Sequence, residues 1–327
     1  MTRVLIAGLL LTLASVAPIA QGPTRLQLAT MAPSGSVWEL ELRKLATAWQ
    51  KNGRVKIEIF PGGTLAPEDE VADTIRQSRP TPQIAALSAV GLSHIDPAFS
   101  VFGMPFFFES YEELYAVLDA ATPMLRKRLE NRGLVLLAWG HVGWAHMFTT
   151  RPVRTLDELK KLHIWTSGDV TMINWYRSQG FTVVQSSLAE LTLDLRNGKI
   201  GAIPTSPLLA SYQQWYTQAK YMLDVKIAPI IGALVVAKST WEGLSEADRV
   251  AFRSAAEQME RQLEAAVPGQ DRTTVQTLEK NRQLTVIKPE GGGWRETGES
   301  LASLMRSEGG EVLDAVRKAR DEYRSKR

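Results

Sequence analysis

The sequence predicts an α/β protein with two lobes, and three observations support this fold class. Two successive sets of alternating strand and helix patterns follow one another along the chain. The length of 327 residues allows about two domains of ordinary size. A strongly apolar strand pattern at residues 230–237 is placed to return the chain to the first lobe. We therefore expect two packed cores with a cleft between them.

The first set of patterns starts with an alternating strand at residues 25–30, and Ser34 is expected to open the next helix. Strand patterns follow at residues 55–59 and near 84–89. The wholly apolar run at residues 134–139 is expected to be a central strand covered on both faces. The first helix should carry four apolar residues on one face: Trp38, Leu42, Leu45 and Trp49.

The second set is marked by helix-start signals. Thr155 and Ser187 each have a glutamate three residues later, which is the pattern of a capping box. Strand patterns surround Ile164 and cover residues 181–185. Ser245 is expected to begin the longest helix, and a Gly-rich stretch should precede two more polar helices. We expect these segments: signal peptide 1–20, lobe I at 21–147 and 236–266, lobe II at 148–235, and C-terminal helices packing on the lobes at 267–327.

The first 20 residues have the architecture of a secretory signal peptide. Arg3 precedes an apolar run of about 14 residues that ends in small residues, which is too short to span a bilayer comfortably. Cleavage after Ala17 and cleavage after Ala20 both fit the pattern, and an uncleaved anchor is the alternative. Because the chain has no cysteine, it can form no disulfide or thiolate metal site. The sequence thus predicts an exported protein.

The usual signatures of catalysis are absent from the sequence. No GxSxG elbow, P-loop, GxGxxG or HExxH occurs, and the four histidines are too scattered to suggest a metal site. The 38 basic and 35 acidic residues are interspersed, which disfavours nucleic acid as a partner. We therefore expect no enzyme activity, no cofactor and no metal.

Aromatic residues stand where strands are expected to end. Ligands of α/β proteins bind outside the carboxyl ends of strands, so such residues are candidates for a cleft. For each of them a place in the core is an equally good expectation. The candidates include Phe106, Trp144, Trp165 and Tyr212.

Several segments carry a family resemblance. LATMAPSGSVWELELRKLATAW, GRVKIEIFPGGTL, LSAVGLSHIDPAFSVFGMPFFF, RPVRTLDELKKLHIW and GALVVAKSTWEGLSEADR occur in this order. Together they resemble the solute-binding subunit of tripartite ATP-independent periplasmic (TRAP) transporters, the DctP-like family. The resemblance covers about residues 25–266, and PGGTL and MPFFF are its most specific parts.

The resemblance implies a two-lobed, periplasmic-binding-protein-like (type II-like) clamshell with a long connecting helix. It implies a periplasmic receptor that closes on one small organic ligand and hands it to an ion-coupled TRAP-type membrane permease. The segments WTSGD and PTSPLLASYQQWYTQAKYMLD are more similar to a divergent branch, some members of which work with a tetratricopeptide-repeat partner.

The chain departs from the family where the family binds carboxylates. Trp165 occupies the place of the usual arginine, and a second family arginine, which falls near Ala145 or His146, is absent. We therefore expect a ligand that is more apolar than the family norm. Arg76, Arg79 and Arg151 are expected at the surface, although each could serve as a substitute clamp. The candidate ligand-binding residues are Trp165, Trp144, Asp169, Phe106, Ser88, Met31, Thr205, Ser206 and Tyr212.

Two other functions use the same two-lobed scaffold. An exported enzyme would draw on Asp169 and the Ser186–Ser187 pair, although no histidine lies near them in sequence. A sensor or interaction protein would have a cleft filled by its own side chains. Fold alone does not decide among these functions.

Overall fold

A computed structural model describes residues 23–51, 54–77, 80–166 and 168–326, and its strands form two mixed sheets. The strands are β1 (Thr24–Thr30), β2 (Val55–Phe60), β3 (Ile84–Ser88), β4 (Leu134–Trp144), β5 (His146–Thr149), β6 (His163–Thr166), β7 (Thr182–Gln185), β8 (Ala202–Thr205), β9 (Tyr221–Leu223), β10 (Pro229–Ala237) and β11 (Thr285–Ile287).

Helices cover both sheets. They are α1 (Val37–Trp49), α2 (Glu68–Thr74), α3 (Ala89–Ile95), α4 (Tyr111–Glu130), α5 (Leu156–Lys160), α6 (Val170–Ser178), α7 (Leu188–Arg196), α8 (Pro207–Tyr212), α9 (Lys238–Gly243), α10 (Glu246–Lys280) and α11 (Trp294–Ser325). Short 3-10 helices occupy Pro97–Gly103 and Trp215–Thr217.

Each sheet mixes parallel and antiparallel pairs. The first sheet has the order β2-β1-β3-β10-β4, with β1 parallel to both neighbours and β10 antiparallel to both of its own. The second sheet has the order β11-β9-β5-β8-β6-β7, with β6 parallel to both neighbours. The predicted α/β architecture with two lobes is thus confirmed.

Two neighbouring chain segments cross between the sheets. β4 ends in the first sheet at Trp144, and β5 begins in the second sheet at His146. On the return, the backbone amide of Ala145 donates to the carbonyl of Ala228 at 2.7 Å, so the two crossing segments pair. The expected boundary at 235/236 differs from the structure, because β10 already joins the first sheet at Pro229.

The apolar run at residues 134–139 lies in β4, but the prediction that this strand is central was wrong. β4 forms the edge of the first sheet and pairs only with β10 within the described chain. It is apolar because α10 packs on it from one side and α4 from the other. Covered faces, rather than a central place in the sheet, explain its composition.

Helix-start signals were predicted with mixed success. The capping boxes at Thr155 and Ser187 are confirmed. The first helix begins at Val37, two residues later than a start at Ser34 implies, because residues 33–36 form a turn and the hydroxyl of Ser36 accepts from the Glu39 amide. The helix ends at Trp49.

Two long helices tie the fold together. α10 packs against α1, β4 and α8, and thus touches elements of both lobes. α11 packs on α4, α6 and the 3-10 helix at Pro97–Gly103. The two predicted C-terminal helices are continuous apart from a break in helical geometry at Gly309. None of the helices in the described ranges has the length and apolarity needed to cross a membrane.

Candidate ligand-binding site

Trp144 lies at the point where the chain leaves the first sheet. Its side chain is 1% exposed, and the ring of Tyr111 packs edge-on against it with 5.3 Å between ring centres. Its backbone amide donates to the carboxylate of Asp271 at 3.2 Å. Its indole Nε1–H is buried and has no hydrogen-bond partner. An indole N–H can only donate, so this atom lacks an acceptor.

Asp271 holds two parts of this region from α10. Its carboxylate accepts from the amide of Trp144 and from the amide of Leu208, at the start of α8, at 3.0 Å. A side chain at Gly143 would lie 2.8 Å from this carboxylate, so only glycine allows this approach. Burial raises the pKa of Asp271 to about 6 against the two backbone hydrogen bonds and Lys226, which lower it.

An aromatic group from α4 lines the same crossing. The Tyr111 ring lies 4.9 Å from the His141 ring, and the Tyr115 hydroxyl lies 2.7 Å from Nε2 of His141. The hydroxyl of Tyr111 and Nδ1 of His141 are both buried without a partner. Burial lowers the pKa of His141 to about 4, so its imidazole is neutral at pH 7.

Trp165 lies near the carboxyl edge of the second sheet. It is 8% exposed, packs 6.4 Å from Trp215 between ring centres, and its Nε1–H donates to the carbonyl of Ser186 at 3.0 Å. The hydroxyl of Ser186, which directly follows β7, and the hydroxyl of Thr205, at the end of β8, are buried without a partner. Trp165 is therefore a well-packed residue beside two unpaired polar atoms.

Three further candidates connect the lobes. Asp169 caps α6 and accepts from the hydroxyl of Ser100 at 2.8 Å. Ser206 caps α8 and donates to the carbonyl of Val142. Tyr212 accepts from the amide of Val37 at 3.2 Å and also lines an open groove of about 680 Å³ between α8 and α10. These side chains couple elements of the two lobes.

The remaining candidates lie in the first lobe and at the crossing. Ser88 is occupied by Glu68, whose carboxylate accepts from its amide at 2.6 Å and its hydroxyl at 2.7 Å. Met31 borders a cavity of about 10 Å³, which is room for at most one water molecule. Phe106 adopts a left-handed backbone conformation, with φ 60°, and its amide donates to Ile227 at the returning segment.

No substitute for the missing arginine is found among the described residues. None of their lysines or arginines is buried. Arg76 pairs with Asp73 at 2.6 Å, and Arg151 is exposed at the surface; Arg79 lies outside the described residues. The same part of the chain contains no group of three His, Cys, Asp or Glu side chains that could hold a metal.

Sequence reasoning missed Tyr111, His141, Asp271 and Ser100. Three of them belong to helical or strand patterns that read as packing, and their polar atoms meet only because distant elements pack together. A weak signal was present, since a polar side chain such as Asp271 continues the apolar stripe of α10.

Comparison with known proteins identifies the family. The family model for bacterial extracellular solute-binding protein, family 7 (DctP), matches residues 28–307. The chain belongs to this family. Its members include the binding subunits of TRAP transporters, so the family and fold are those of transport proteins rather than enzymes.

The relatives are distant in sequence. A solute-binding protein of Chromohalobacter salexigens is 27% identical over 229 residues, which is 69% of this chain and 66% of the relative. The 2,3-diketo-L-gulonate-binding periplasmic protein of Escherichia coli is 24% identical over 211 residues, or 63% of this chain and 63% of its own length. The alignments to these relatives therefore span slightly less than two thirds of their length.

Solved structures agree with the fold over almost the whole chain. A Bordetella pertussis extracytoplasmic solute receptor binding pyroglutamic acid has a TM-score of 0.82 at 22% identity, covering 90% of this chain and 99% of its own. A TRAP periplasmic solute-binding protein from Chromohalobacter salexigens with bound D-glucuronate has a TM-score of 0.84 at 20% identity, with 90% and 99% covered. These likenesses establish the two-lobed fold.

Proposed function

We propose that the protein is a periplasmic receptor that delivers a small, relatively apolar organic ligand to a TRAP-type membrane permease. Family membership and periplasmic relatives support the receptor role. Export through a cleaved signal peptide belongs to the proposal and rests on the sequence, because residues 1–20 lie outside the described residues. The comparisons name no tetratricopeptide-repeat partner, and the proposal does not include one.

The position of Trp165 is the observation that supports an apolar class of ligand. The resemblance puts a carboxylate-binding arginine at this position, whereas here an indole packs among apolar residues of the second lobe. No buried cation in the described chain takes over its charge. A carboxylate in this cleft would lose its strongest partner, while an apolar group would gain contact area.

The arrangement of the candidate catalytic groups does not support an enzymatic function. Asp169 is engaged by Ser100 and by the amide of Met172, and Ser187 is engaged by Glu190 as a helix cap. In the described residues, no hydrogen bond links a histidine to either group or to Ser186. The arrangement of a nucleophile with its base is therefore not formed here.

Native mass spectrometry of the gently purified mature chain tests the proposal. We expect a bound organic molecule in the wild type and a much smaller bound fraction in Trp165→Ala. An aromatic contact of this kind contributes about 2 kcal/mol to affinity. Trp241→Ala is the matched control, because Trp241 is similarly buried, at 7% exposed, but packs on Arg253 in the first lobe.

The control should keep the wild-type bound fraction. Equal losses in the two variants would assign Trp165 to general packing. A wild type that carries no organic ligand in any preparation, and whose melting temperature no candidate solute raises, would contradict the receptor proposal.

A further inference from the structure

The crossing between the lobes contains a concentration of unsatisfied polar atoms. Nε1 of Trp144, Nδ1 of His141 and the hydroxyl of Tyr111 are all buried without a partner. The Tyr111 ring contacts both of the other rings, at 4.9 Å and 5.3 Å between centres. Buried polar atoms in native proteins are almost always paired, so three unpaired atoms in one aromatic group call for a missing partner.

The chemistry of these atoms defines what that partner must offer. Trp144 can only donate a hydrogen bond. Tyr111 retains its proton, because burial and the nearby Asp271 raise the pKa of its hydroxyl. When the Tyr115 hydroxyl donates to Nε2 of His141, the neutral ring carries its proton on Nδ1 and is a third donor. Such a group is suited to a hydrogen-bond acceptor.

The charges around the group argue that this acceptor is neutral. Asp271 accepts the backbone hydrogen bond of Trp144 and faces Tyr111 with its negative charge. The ammonium of Lys226 lies 5.1 Å from the centre of the Trp144 ring, but it is exposed and therefore screened by solvent. The pair leaves little net positive charge to hold a carboxylate.

The position of Trp144, Tyr111 and His141 supports a ligand, rather than only water, as the hydrogen-bond acceptor. Trp144 ends β4, and the next residue but one starts a strand of the other sheet. Thr205, whose hydroxyl is also unpaired, is the cross-strand partner of His146. Unpaired polar atoms from both sheets therefore lie close in sequence and pairing to the point where the chain crosses.

We propose that Trp144, Tyr111 and His141 form the polar subsite of the cleft and receive an uncharged acceptor, such as a ketone or amide carbonyl, on an otherwise apolar ligand. This inference rests on the proposed receptor function and names the ligand class. Hydrogen bonds from these donors would orient the ligand in a site that lacks the arginine of the family. The carbonyl oxygen, which has two lone pairs, accepts hydrogen bonds from these donors.

Three probes of similar shape test the subsite: acetophenone, which has a neutral carbonyl; benzoate, which is anionic; and ethylbenzene, which has no acceptor. The readout is the ¹H–¹⁵N spectrum of the indole groups of the full mature chain, in which the Trp144 signal is assigned by its loss in Trp144→Phe. We expect acetophenone to move this signal saturably and to bind at least about tenfold more tightly than either other probe.

Two variants remove single donors: Tyr111→Phe keeps the ring, whereas Trp144→Phe also removes part of the buried indole. Each variant should weaken acetophenone binding about tenfold. The melting temperature of the free protein should be unchanged in Tyr111→Phe, and lowered in Trp144→Phe by the lost ring volume. Trp139→Phe is the matched control on the same strand, because its Nε1–H already donates to Thr122 at 2.8 Å. This control should bind acetophenone as the wild type does.

Specific results would overturn the subsite. These are an unmoved Trp144 signal with acetophenone, equal binding of acetophenone and ethylbenzene, or tighter binding of benzoate. A lowered melting temperature in both donor variants, with unchanged acetophenone affinity, would assign the atoms to a structural water instead. The receptor proposal would survive each of these results as long as native mass spectrometry detects a ligand that depends on Trp165.

Discussion

Aromatic side chains that pack around β4 differ in their hydrogen bonding. On the side of α1 and α10, the Nε1–H of Trp38 donates to the carbonyl of His141 at 2.7 Å, and Trp49 donates to the carbonyl of Phe252 at 3.2 Å. On the side of α4, Trp139 donates to Thr122 at 2.8 Å, but Trp144 and Tyr111, near the end of the strand, bury polar atoms that have no partner. Paired and unpaired aromatic polar atoms thus both occur around this one strand.

The difference teaches how this chain separates stability from recognition. A satisfied indole contributes both its area and its hydrogen bond to folding. An unsatisfied one contributes area alone and carries a penalty until an acceptor arrives. The atoms with the penalty lie toward the end of β4, where the chain crosses between the sheets.

The largest expected effect lies on the side of α1 and α10. Trp49→Ala should lower the free energy of unfolding by about 3 to 5 kcal/mol, because it removes a fully buried ring that stacks on Phe252 at 4.0 Å. Chemical denaturation measures this loss. Ligand affinity of the remaining folded protein should equal that of the wild type, and a reduced affinity would break the separation between stability and recognition.

The next effect concerns the pH dependence of stability at the end of β4. Burial holds the folded-state pKa of Asp271 at about 6, above its ordinary 3.8, so its stabilising contribution exists at low pH and is lost as the pH rises from about 4 to about 6. The total is about 3 kcal/mol. His141 has the opposite sign, because its pKa falls from 6.5 to about 4 and its contribution is lost as the pH falls.

Asp271→Asn should therefore change how steeply the free energy of unfolding depends on pH, and not only its value at one pH. Between pH 4 and pH 6 its free energy of unfolding should rise with pH relative to that of the wild type. Denaturation series at several pH values, with His141→Gln as the variant of opposite sign, provide the measurement. Parallel curves for wild type and Asp271→Asn would show that the carboxyl group is not buried as described.

The smallest effect compares two indoles directly. Both Trp38→Phe and Trp144→Phe remove part of a buried indole and should lower the free energy of unfolding. Trp38→Phe should cost about 1 to 2 kcal/mol more than Trp144→Phe, because only there does the buried carbonyl of His141 lose its donor. Equal losses in the two variants would mean that Trp144 has an acceptor in the free protein.

Local signals predicted much of the fold. The capping boxes at Thr155 and Ser187 involve residues within one helical turn, so the sequence predicts them. The alternation of apolar and polar residues in β2 likewise predicts a strand with one covered face. The sequence did not predict the position of β4 at a sheet edge, because helices on both sides give an edge strand the composition of a central one.

The candidate site was less predictable for the same reason. Trp144 and Trp165 stood out by residue type beside expected strand ends. The contacts of Trp144 with Tyr111 and Asp271 join residues 33 or more positions apart, and only packing of α4 and α10 creates them. The sequence does not predict which buried polar atoms lack a hydrogen-bond partner, because this depends on the positions of all the surrounding groups.

The central claim is the proposal that this solute-binding protein recognises a neutral group in place of a carboxylate. Isothermal titration calorimetry of the wild-type mature chain tests it with acids: pyroglutamate, D-glucuronate, succinate and malate, alongside acetophenone on the same preparation. The account predicts dissociation constants weaker than about 1 mM for every acid, because Trp165 and the unpaired donors beside Asp271 offer no buried cation. A micromolar dissociation constant for any of these acids would contradict it.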